Sequence, residues 1–269
     1  MTRKGIIALA NNGIEFFIGS IILILVTNLY STEEAGVWIV FLTLLFVGTK
    51  FREGVTQTSL TKFSVGVSEE QRFSVYAISI AFTLIIEIVL SVIAYSVSKF
   101  MNDGTLSLLL ANYFWIAIPQ SLFRIFQFIS QSKLDVKSML ISNIVLLNMI
   151  TLVVFFIIEN ESAFSILPKA MGIAYAIGLI WQIIMHNALN WDISLTNIKL
   201  PKGYLAFATN GLLRELFGTI SSRAYILLTA GFVGYTESAF VGIASRYANL
   251  IYLPNSAYQG ILYPKACEL

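Results

Sequence analysis

Charge is scarce in this chain. Only 12% of its 269 residues are Asp, Glu, Lys or Arg, and the two signs nearly cancel to a formal +2. So small a surplus excludes a nucleic-acid-binding face, which needs clustered cations to displace counterions. Cys267 is the only cysteine, so no disulfide can form within the chain. His186 is the only histidine, and one imidazole makes neither a metal site nor a catalytic dyad. No DxD stretch is present. A membrane glycosyltransferase or acyltransferase would need such paired acids or a loop histidine, so an enzyme is not expected, and neither a cofactor nor a metal is called for.

What the chain has in quantity is apolar surface, at 57% of residues. It is gathered into blocks of about 20, the length that crosses roughly 30 Å of hydrocarbon. Eight blocks fall at 6–29, 35–57, 74–98, 106–129, 139–158, 168–189, 207–231 and 238–262. All are expected to be helices, because a segment in lipid must satisfy its own backbone. The fold class is therefore an all-α polytopic membrane protein. The N-terminal apolar stretch runs on to Leu29 without a small-residue cleavage site, which predicts a retained first span rather than a signal peptide.

With the N-terminus placed in the cytoplasm, twelve basic residues fall on inner loops and span ends, against only Lys99 and Lys169 outside. The positive-inside rule supports that orientation. The second block continues in polar form as "KFREGVTQTSLTKF", which predicts that it emerges at the cytoplasmic face with Lys50 and Arg52 snorkelling. The longest polar connection is "NWDISLTNIKLPKGY", the expected boundary between two lobes.

Two stretches recur. "NNGIEFFIGSI" at Asn11 matches "NGLLRELFGTI" at Asn210, setting Glu15 on Arg214 and Gly19 on Gly218, and "STEEAGVWI" at Ser31 resembles "YTESAFVGI" at Tyr235. The order and the topological places agree, which predicts an internal repeat with both copies entering from the same side. The expected organisation is a complete six-helix lobe over 1–190, a cytoplasmic linker over 191–206, and over 207–269 the first two helices of a second, parallel-repeat lobe. The chain thus reads as part of a protein of about twelve spans, expected to be inactive alone unless another chain completes it.

"LYSTEEAGVWIVFLTLLFVGTKFREGVTQTSL" and "GYTESAFVGIASRYANLIYLPNSAYQGILYPKA", with Tyr247, a mid-span Pro254 and a closing Pro264, resemble the polysaccharide branch of the MOP (multidrug, oligosaccharidyl-lipid and polysaccharide) exporter superfamily. The resemblance implies two lobes around a cavity lined by spans one, two, seven and eight. It also implies flipping of an undecaprenyl-pyrophosphate-linked oligosaccharide, for O-antigen, lipopolysaccharide or exopolysaccharide synthesis, across the bacterial inner membrane. The partners it implies are that lipid, the bilayer, a coupling proton or sodium ion, and the polymerase or glycosyltransferases of the same pathway. The alternative within the superfamily is an ion-coupled multidrug exporter.

Charges inside spans are costly and mark function. Glu15 and Arg214 sit on the two repeated stripes and are expected to pair between lobes as a gate. Arg214, Arg223, Arg246, Asn249 and Arg52 are the substrate-binding candidates, since guanidinium suits pyrophosphate. Arg214 and Arg223 lie on opposite sides of one helix, so only one is expected to reach the cavity. Glu15 and Glu87 are the ion-coupling candidates, with a buried structural partner the favoured role for Glu87. Pro254 is expected to kink the eighth span.

Overall fold

A computed structural model of the chain describes residues 3–101, 104–159, 164–186 and 198–252, together with Pro254, Leu262, Ala266 and Cys267. Among these residues there is helix and no strand. The helices are α1 (Arg3–Leu29), α2 (Thr32–Ser64), α3 (Glu69–Phe100), α4 (Gly104–Ala111), α5 (Tyr113–Ser132), α6 (Val136–Glu159), α7 (Leu167–His186), α8 (Tyr204–Phe232) and α9 (Tyr235–Ala248). Five of them, α1, α2, α3, α6 and α7, are long and apolar enough to cross a membrane. The pair α4 and α5, bent by 44°, makes a sixth if it is one broken span. This is the architecture of a multi-pass membrane protein.

The helix starts follow from local chemistry. Ser31 and Glu34 form a capping box: the Ser31 hydroxyl accepts from the Glu34 N–H (3.2 Å), and the Glu34 carboxylate accepts from the Ser31 N–H (2.9 Å). Ser68 caps α3 in the same way, accepting from the Gln71 N–H. Gly203, at φ +82°, turns the chain into α8 with a backbone that only glycine adopts readily.

The centre of the fold is α2. It packs against α3 and α5 on one side and against α8 and α9 on the other. A core of Trp38, Phe41, Leu109, Ile116, Ile150 and Leu167 joins it to the remaining helices. Against α8 the backbones touch: a Cβ on Gly54 would lie 2.8 Å from the Leu212 Cα, and one on Gly211 would lie 2.3 Å from the Gly54 carbonyl oxygen. Against α9, a Cβ on Gly36 would lie 1.9 Å from the Tyr235 carbonyl oxygen. Tyr204, fully buried at the start of α8, shares a 2.9 Å hydrogen bond with Ser79 and stacks on Phe82.

Several expectations are corrected. The second helix runs unbroken to Ser64, past the predicted end at residue 57, and Arg52 does not snorkel: it is 1% exposed. The fourth span is broken at Asn112, where the ladder slips to a bond from the Asn112 N–H to the Leu109 carbonyl, seven residues before Pro119. The predicted seventh span corresponds to α8, which carries Arg214, Glu215 and Arg223 and is not among the five apolar spans. The predicted eighth span is helical as α9 over its first half. Residues 191–197 of the predicted lobe linker, and Pro264, lie outside the described residues. Pro254 is helical and exposed, but both its neighbours lie outside them too, so the predicted kink has no described geometry.

Candidate functional site

Polar side chains from α1, α2, α5 and α6 converge on a layer of paired charges. Glu15 of α1 accepts from Arg124 of α5 at 2.7 Å, and Lys50 and Glu53, one turn apart on α2, pair at 2.6 Å. Asn143 of α6 ties the layer together. Its amide nitrogen donates to Asn11 (2.9 Å) and to Glu15 (3.0 Å), while its oxygen accepts from Gln127 (2.7 Å). On α7, Gln182 is buried against α5, and with its amide oriented to suit its neighbours it donates to the Phe123 carbonyl and accepts from the Gln127 backbone N–H.

All four charges line two adjoining cavities. One, of about 430 Å³, reaches toward the N-terminal end of α1, past Ala8, Asn11 and Asn12, and includes Gln131, Val136 and Met139. The other, of about 380 Å³, extends the opposite way past Gly19 and Ile22 to Gln120 and Tyr175. A third cavity of about 120 Å³ adjoins these two, sharing Asn249 with the first and Gly19, Phe46 and Arg246 with the second. The three share lining residues and make one central space, and Leu23, Ile39 and Ile226 of the third pack with Ala239 in an apolar cluster.

The third compartment holds Arg223 and Arg246. Arg223 lies 4.7 Å over the Phe46 ring and donates to the Ser245 hydroxyl at 3.2 Å. Arg246 lies over Phe16 and donates to the Phe16 carbonyl at 3.1 Å and to the Ser20 hydroxyl at 3.4 Å. It rests directly on Gly19, where a Cβ would stand 1.7 Å from its Nη2. Neither guanidinium meets a carboxylate among the described residues. The central space is therefore lined by four cations (Lys50, Arg124, Arg223, Arg246) against two carboxylates (Glu15, Glu53), and both carboxylates are already paired.

Of the predicted residues, Arg223, Arg246, Asn249 and Glu15 meet here. Arg214 does not: its side chain is 66% exposed and bonds the neighbouring Glu215. The Glu15–Arg214 gate is thus not formed, because Asn210, Arg214 and Gly218 face outward while α8 packs on α2 through Ala208, Gly211 and Thr219. Arg52 lines none of the three compartments. It points into the bundle, where Arg52 and the Ser121 hydroxyl both donate to the same Glu87 oxygen and Arg52 also donates to Ser121. Glu87 is a buried ion-pair partner with the second carboxylate oxygen unpaired.

Arg124, Lys50, Glu53, Gln127 and Asn143 were missed. Lys50 and Arg124 read as inner-end cations in the sequence, and the fourth and fifth spans were not placed on the cavity. The signal available was the spacing of Gln120, Arg124, Gln127 and Gln131, which puts polar groups on one helical face. No family model matches this chain, and no curated protein matches it.

Proposed function

We propose that this chain forms the cavity of a flippase for a lipid-linked, pyrophosphate-bearing oligosaccharide in the bacterial inner membrane, in the polysaccharide branch of the MOP superfamily that its sequence resembles. In this reading α1 to α7 make the first lobe, α8 and α9 begin the second, and the N-terminus is cytoplasmic by the positive-inside rule. The largest compartment then opens to the cytoplasm, where such a substrate is made, and the Leu23–Ile226 contact closes the outer side. The lobes would alternate by rocking about the contacts of α2.

The observation that carries this reading is that, among the described residues, Arg223 and Arg246 meet no carboxylate and the two acids lining the space are already paired. Two half-buried guanidiniums side by side favour an anion, and phosphate oxygens accept the parallel bonds a guanidinium offers. A multidrug exporter for cations would present the opposite sign.

The reading is tested with the protein in lipid nanodiscs, by comparing binding of inorganic pyrophosphate with that of tetraphenylphosphonium. Pyrophosphate is expected to bind, and Arg223→Ala or Arg246→Ala to weaken it by about tenfold to a hundredfold each, the worth of hydrogen bonds to a charged group. Preferential binding of the organic cation, or pyrophosphate binding indifferent to both arginines, would overturn it.

A further inference from the structure

The outward face of α8 presents side chains that α1 keeps covered. The two repeated stretches open matching pieces of structure: α1 runs 27 residues, turns through Tyr30 and Ser31 and continues as α2, while α8 runs 29 residues, turns through Val233 and Gly234 and continues as α9. Both second helices carry acid in their first turn, Glu33 and Glu34 in one and Glu237 in the other. On α1 the repeated polar positions are covered by α5 and α6. Asn11 is 4% exposed and accepts from Asn143 of α6, and Glu15 accepts from the same amide and from Arg124 of α5. At the matching places on α8, Asn210 and Arg214 are exposed.

This face lies at membrane depth. α8 runs alongside α2, a helix long and apolar enough to span, and the two meet from Tyr204 on Phe63, through Gly211 on Gly54, to Ile226 on Ile39. At about 1.5 Å per residue, Arg214 stands roughly 15 Å beyond the start of α8, with Phe217 and Ile220 exposed beside it. An arginine turned to hydrocarbon is costly and needs an acceptor. Its bond goes to Glu215, the next residue in sequence, and adjacent side chains do not face each other on a helix. Arg214 lines none of the three compartments, so the central space does not account for it. One turn on, a Cβ at Gly218 would meet nothing, which leaves room for another helix to come close.

We infer that the Asn210–Arg214–Gly218 stripe is an interaction surface for a transmembrane helix carrying a carboxylate, a helix that stands to α8 as α5 stands to α1. The signs specify the partner. Where α1 presents the anion Glu15 and receives the cation Arg124, α8 presents the cation, so its occupant brings the anion. A carboxamide beside that anion, in the place Asn143 takes at Asn11, would serve Asn210. A second copy of this chain fits less well, because a twofold axis along the membrane normal would bring Arg214 against Arg214. The inference rests on the repeat and on the cover that α5 and α6 give α1. It does not depend on what the central space carries.

The test is Förster transfer in liposomes between the full chain, labelled at its N-terminus, and synthetic Leu–Ala transmembrane peptides with Glu, Gln or Lys at the central position. The Glu peptide is expected to associate about tenfold more tightly than the Gln peptide, a preference that Arg214→Ala removes and Arg214→Glu transfers to the Lys peptide. Gly218→Ile should weaken the same association with no change of charge. Neither site packs against the rest of the chain, so these variants keep its fold. Pyrophosphate binding should be the same in Arg214→Ala as in the unaltered chain, which separates this surface from the arginine compartment. Equal association of the Glu and Gln peptides, or a Glu preference that survives Arg214→Ala, overturns the inference and leaves Arg214 a lipid-facing cation. Transfer between two differently labelled chains that Gly218→Ile abolishes gives the face to a second copy, and overturns it too.

Discussion

Arg52 and Glu87 illustrate how much a single buried pair can decide. Both side chains are 2% exposed, and the pair bridges α2 and α3 beside Ser121 of α5. Desolvating two ions offsets much of their attraction, so the pair adds little net stability, but removing one partner strands the other charge in an apolar interior. Glu87→Leu is expected to destabilise the protein by about 3–5 kcal/mol, and Arg52→Met together with Glu87→Leu to recover most of that loss. Thermal unfolding in nanodiscs decides, and a single variant as stable as the double one would contradict it. The Gly19–Arg246 contact yields a second expectation. Gly19→Val should displace the guanidinium and weaken pyrophosphate as much as Arg246→Ala does, although no charge is removed. That residues 15 and 87 carry consequential charges was legible in the sequence, because an ion in a span needs a partner, whereas Arg52 read as a snorkelling cation at a span end. The partners of none of the three were legible. Glu15 meets Arg124 across 109 positions of sequence, and which residue it meets depends on how α1, α5 and α6 are rotated.

At the scale of elements, glycine is informative only where a neighbour's backbone arrives. Gly211 and Gly54 meet at the α2–α8 crossing, whereas a Cβ at Gly13, Gly218 or Gly231 would meet nothing. Gly54→Val is therefore expected to push α8 off α2 at a cost of about 1–3 kcal/mol or more, and Gly218→Ala to be neutral or slightly stabilising through helix propensity. Equal melting shifts in the two variants would refute this account of the crossing. Helix positions were legible from hydropathy because lipid-crossing blocks have a fixed length. The extension of α2 to Ser64 was not, since its last turns are polar yet buried by α8, and Thr56, Ser59 and Thr61 sit in contact with protein rather than water. Likewise the repeat marked Asn210, Gly211, Arg214 and Gly218 as one stripe, but of these only Gly211 is buried, against Gly54 of α2, and the other three are exposed.

At the scale of the whole molecule, charge and shape point the same way. A central space bounded by α1, α2, α5 to α9 is wide near the N-terminal end of α1 and narrows beyond the charged layer to an apolar contact. Among the described residues four cations line it against two carboxylates, a balance that attracts anions. Lys50 and Arg124 line it, while Arg214 lies outside it. The most direct test is the charge selectivity of thiol modification at Leu42, which borders both Arg223 and Arg246. In a Cys267→Ser background, Leu42→Cys should react with anionic sulfonatoethyl methanethiosulfonate on the order of tenfold faster than with its cationic trimethylammonium counterpart, after correction for their rates with free thiol. Arg223→Ala should erode that preference. Equal rates, or a preference for the cation, would contradict an anion-selective cavity.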